Sequence, residues 1–63
     1  MNKQIAAFIL GWKYDLKCRG VAKSKWRKII GDHFVDSKAI SMYPNGADQF
    51  VKTWEELEKM GRI

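Results

Sequence analysis

A single cysteine in a chain of 63 residues decides how this molecule can be held together. Cys18 has no second thiol to pair with, so no internal disulfide is available. One imidazole, His33, and one thiol do not supply the four nitrogen or sulfur ligands of a tetrahedral zinc site, and neither metal nor cofactor is expected. A chain this short buries only about 60% of the surface that its unfolded form exposes. Its stability then has to come from dense side-chain packing, from self-association, or from both. Eight aromatic residues support packing, since each can bury about 150–250 Å².

The free thiol suits a reducing compartment. The longest apolar run, Ile5 to Leu10, is far short of the roughly 20 residues of a spanning helix. It is followed by Gly11-Trp12-Lys13-Tyr14-Asp15 and not by a small-residue cleavage pattern. The expectation is a cytoplasmic protein with no membrane segment.

Three segments repeat apolar residues at helical spacing, with recognisable punctuation between them. The first predicted helix runs from about Asn2, a natural N-cap, to Arg19, with Gly20 at the left-handed position beyond its end. Ile5, Phe8, Ile9, Trp12 and Leu16 fall on one stripe, while Ala7, Gly11 and Cys18 form a separate line of small residues. That line leaves room for a second helix, and a homodimer is one expectation. The second helix opens at Ser24 and reads to about Phe34, with Trp26, Ile29, Ile30 and His33 on one face. Asp36 is positioned to cap a short helix through Met42, with Ala39, Ile40 and Tyr43 inward. Tyr43-Pro44-Asn45-Gly46 is a turn. The last helix spans about Ala47 to Met60, with Phe50, Val51, Trp54 and Leu57 inward and Gly61 as terminator. Residues 1–63 thus read as one all-α domain of three to four helices with short loops.

Catalysis finds little footing in these residues. Nucleophilic chemistry needs Ser or Cys beside an oriented base, and a Cys18–His33 pair is the single combination on offer. Glu55, Glu56 and Glu58 alternate with lysines along a helix, as a solvated face does. Gly11, Gly20 and Gly31 are too far apart to build one phosphate loop. The expectation is a binding protein, not an enzyme.

Charge carries the functional signal. Residues 1–28 hold eight cationic side chains against Asp15, a net of +7, whereas residues 29–63 hold four against six carboxylates, a net of −2. Such asymmetry points to a face and not to a diffuse excess. Seven of the cations, Lys13, Lys17, Arg19, Lys23, Lys25, Arg27 and Lys28, fall within sixteen residues, interleaved with Tyr14 and Trp26. A patch of this kind can neutralise phosphates and stack aromatic or guanidinium planes on bases. These seven are the candidate nucleic-acid-binding residues.

The run Leu57-Glu58-Lys59-Met60-Gly61-Arg62-Ile63 resembles the Leu-Glu-Lys-x-Gly-x-Ile ending of winged-helix recognition helices. It departs from that pattern in charge, being acidic where a recognition helix is basic. The helix from Trp26 to Phe34, with Ser24, Lys25, Arg27 and Lys28 at its start, is better suited to approach DNA by its N-terminal turn. The competing reading is a small inhibitor or adaptor, of the size of phage and mobile-element regulators, that docks on an acidic or nucleic-acid-binding protein. Three Trp, two Tyr, three Met and three Arg supply the residue types that anchor interfaces.

Overall fold

The helices of this molecule are defined by their ends. Asn2 begins the first one: its side-chain oxygen accepts from the backbone N–H groups of Gln4 and Ile5, both at 3.0 Å, which satisfies two donors that a helix start leaves orphaned. In the computed structural model, which describes residues 1–63, this helix is α1 (Lys3–Cys18); α2 (Trp26–Asp36) and α3 (Gly46–Lys59) follow, with no strand. Single turns of 3-10 helix at Lys23–Lys25 and Ala39–Met42 join them. The domain is all-α.

Every helix stops on a residue in the left-handed region. Gly20 (φ 75°) follows α1 and Gly61 (φ 73°) follows α3, where the absence of a Cβ removes the steric cost. At α1, Val21 N–H donates to the Leu16 carbonyl and Gly20 N–H to that of Lys17; at α3, Arg62 N–H donates to Leu57 and Gly61 N–H to Glu58. Both are Schellman motifs, satisfying carbonyls that the helix itself cannot. Lys38 takes the same conformation after α2, at φ 63°. There the Ser37 hydroxyl donates to the Phe34 carbonyl and accepts from Ala39 N–H.

Two expected caps are therefore displaced. Asp36 is the last residue of α2 and caps nothing, and the segment after it is a 3-10 turn, not a fourth α-helix. Ser24 lies inside the Lys23–Lys25 turn, and no side chain caps α2. The entry to α2 is held instead by Trp26, whose indole N–H donates to the Val21 carbonyl at 2.9 Å.

The core gathers Ile5, Ala6, Ile9 and Leu16 from α1, Trp26, Ile30 and Phe34 from α2, and Phe50, Trp54 and Leu57 from α3. An aromatic path crosses it: Trp12, Phe8, Phe34, Phe50 and Trp54 follow one another with ring centroids 5.1–6.4 Å apart. Phe8 and Trp12 are only half-buried, at the margin of the α1 stripe. Val51 is exposed, and Thr53 takes the expected inward position on α3. Thr53 is on the flank of α3 that faces the start of α1, where Met1 and Asn2 border the same groove as Thr53.

The molecule has two ends of different character. At one, Asn2 Nδ2 donates to Gln49 Oε1 at 3.1 Å, the Tyr43 hydroxyl donates to Gln4 Oε1 at 2.6 Å, and Gln49 also reaches the Pro44 carbonyl. Gly46 is buried there against the 3-10 turn; a Cβ on it would lie 2.5 Å from the Ile40 carbonyl oxygen. At the other end α1 and α3 stop and α2 begins.

Candidate basic surface

The two Schellman stops bring the C-terminal ends of α1 and α3 to the same side of the molecule. The tail Gly61–Ile63 then runs between α1 and the start of α2, with an open groove on either side. The first groove, about 360 Å³, is lined by Leu10, Lys13, Tyr14, Lys17, Gly61 and Arg62. Positions 10, 13, 14 and 17 share one helical face because three- and four-residue spacings are neighbours on a helix. Lys13 Nζ donates to the Arg62 carbonyl and ties the tail to α1. The second groove, about 420 Å³, is lined by Lys23, Ser24, Arg27, Trp54, Glu58 and Ile63.

Five cations thus border one tail, and Glu58 is the sole acidic side chain in either lining. None of the five forms an ion pair: the four in the molecule use the Met1 amine, Arg19, Lys28 and Lys52. A carbonyl partner, as Lys13 has, leaves the positive charge uncompensated.

The seven residues of the basic segment are divided by the fold. Lys13 and Lys17 line the first groove, Lys23 and Arg27 the second. Lys25 is exposed beside them and lines neither. Arg19 lies on the opposite flank of α1, its Nε 3.2 Å from Asp15 Oδ2. Lys28 faces outward, 3.7 Å from Asp32. Arg62 joins the group although it sits in the acidic half of the chain. Nothing in its neighbourhood along the sequence distinguishes it; only the path of the tail brings it to Lys13 and Lys17.

Across α1 from these grooves lies a shallow notch of about 420 Å³ bordered by Ala7, Phe8, Gly11, Trp12, Asp15 and Arg19. Ala7, Gly11 and Cys18, the small-residue line, are all exposed, and a Cβ on Gly11 would meet nothing within 4 Å. Cys18 and His33 are not brought together: the thiol is exposed on the outer face of α1, while the imidazole stacks on Trp12 with centroids 3.8 Å apart. No helix is long and apolar enough to cross a membrane. No family model, no curated protein and no solved structure matches this chain.

Proposed function

We propose that this chain is a small non-catalytic module that binds nucleic acid through the surface formed by Lys13, Lys17, Lys23, Arg27 and Arg62, with Lys25 at its edge. The observation that supports this reading is the gathering of these five cations around a shared tail, with none of them held in an ion pair. Unpaired cations in a groove meet a polyanion without first losing an internal partner, and each phosphate neutralised releases a condensed counterion. The start of α2, open to the second groove, adds the positive end of a helix dipole to the same field. The regulatory, cytoplasmic setting is part of the same proposal.

The test is fluorescence anisotropy with random-sequence duplex DNA across a salt series. Four phosphate contacts give a log–log slope of about −3.6. Reversing Arg27 and Arg62 to Glu together lowers affinity on the order of a hundredfold and leaves the helical spectrum unchanged, because both side chains are exposed. Absence of measurable affinity for duplex and single strands alike at low salt overturns the reading.

One observation favours the second reading, a docking protein or inhibitor. The Ala7–Gly11 notch is flanked by the half-buried rings of Phe8 and Trp12 and lies off the basic grooves. An apolar helix of a partner, or of a second copy, would fit there. A nuclease-resistant partner in a pull-down, lost on Gly11→Leu, is the outcome that favours it.

A further inference from the structure

Tyr14 is the one aromatic ring left open to solvent. It is 71% exposed, its hydroxyl has no partner within the chain, and it takes no part in the aromatic path through the core. The other half-exposed rings are engaged: Trp12 by His33 and Tyr43 by Phe34 and Gln4. Around Tyr14 stand Lys13, Lys17 and Arg62, and no carboxylate lines that groove. Asp15, next in sequence, turns to the opposite flank of α1 and is held by Arg19.

We infer that this groove takes an unpaired nucleotide, with the base stacked on Tyr14 and the flanking phosphates against Lys17 and Arg62, so that the protein prefers single-stranded nucleic acid to duplex. This deepens the nucleic-acid reading and rests on it. The physical reason is that a base face is accessible to a side-chain ring only when the base is not stacked in a helix; duplexes offer such a surface phosphates alone. Stacking on a ring is tolerant of base identity, because every base presents a π face. The preference is therefore for strandedness, not for sequence. The groove, about 360 Å³ in volume, lies at the surface, where a strand reaches it without being enclosed.

Anisotropy with labelled oligothymidylate, oligouridylate and random duplex reads the inference directly. Tyr14→Ala lowers single-strand affinity by about 5- to 150-fold, the loss of one stacked base, and leaves duplex affinity unchanged. Tyr14→Phe retains the ring and binds as the parent does. Binding to thymidylate and uridylate alike supports stacking that reads neither the sugar nor the base methyl group. Single-strand binding that survives Tyr14→Ala undiminished overturns the stacking role while leaving the nucleic-acid reading intact. Equal affinity of the parent for duplex and single strands overturns the preference. Absence of binding to every probe overturns both proposals at once.

Discussion

The two ends of this molecule use polar side chains in opposite ways. Where α1 starts and α3 starts, Asn2 is bonded to Gln49 and Tyr43 to Gln4, across 47 and 39 residues of chain. Where α1 and α3 stop, Lys13 makes one bond to a carbonyl, and Lys17, Lys23, Arg27 and Arg62 have no carboxylate partner. Burying or pairing a polar group fixes a geometry, and leaving it free keeps it available to a partner at the cost of local stability. In 63 residues both requirements are met by separating them along the helix axes, so that one end fastens the fold and the other remains open.

Glycine substitutions test the division most severely. Gly46→Ala at the fastened end drives a Cβ into the Ile40 carbonyl and costs on the order of 1–3 kcal/mol, a large share of the ~3–9 kcal/mol expected for a domain of this length. Gly61→Ala at the open end meets no neighbour and carries only the left-handed backbone penalty of about 1–2 kcal/mol. Thermal melts should rank Gly46→Ala below Gly61→Ala; the reverse order breaks the comparison. The tyrosines give a smaller contrast. Tyr43→Phe deletes the hydroxyl bond to Gln4 and lowers stability by roughly 0.5–1 kcal/mol, whereas Tyr14→Phe leaves the melting temperature where it was. The smallest effect belongs to charge placed elsewhere: reversing Lys52 and Lys59 to Glu changes nucleic-acid affinity by less than about threefold, although it alters net charge as much as reversing Arg27 and Arg62. Equal losses from the two double variants would mean that total charge matters and that no surface exists.

Much of this architecture is legible in the chain. Asn2 and the glycines at 20 and 61 mark helix ends through chemistry confined to a few neighbours, and each lies where that chemistry predicts. The end of α2 is less legible because Lys38 adopts a conformation that its own side chain does not favour, stabilised by Ser37 bridging Phe34 and Ala39. Core margins are harder still. Val51 and Thr53 flank the same stripe, and which one is covered depends on where α1 crosses, a tertiary fact with no local signature. The basic surface follows the same logic. Charge density located the segment, but the division of Arg19 and Lys28 from Lys17 and Arg27 follows from i,i+4 carboxylates and helix rotation, and Arg62 enters through the tail alone. The ending Leu57 to Ile63, similar to a recognition-helix terminus, is accounted for by the helix stop that Gly61 makes; the same Leu-x-x-x-Gly spacing closes α1 at Leu16 and Gly20.

Those paired stops bear on how the chain can change in length. A Leu-x-x-x-Gly stop is carried by six consecutive residues, so it travels with them. One residue inserted between Asn2 and Trp12 would extend α1 by one helical step, shifting everything after the insertion by about 1.5 Å and turning it by about 100° about the axis. Lys13 and Lys17 would swing away from Arg62 and Tyr14 would leave the groove, while both helix ends still formed. The same insertion at Val21 or Ala22 merely lengthens a connection. The frame that joins the fastened end to the open one is thus a matter of counting: α1 is a spacer read in whole residues, and its length is as much a part of the surface as the cations it carries.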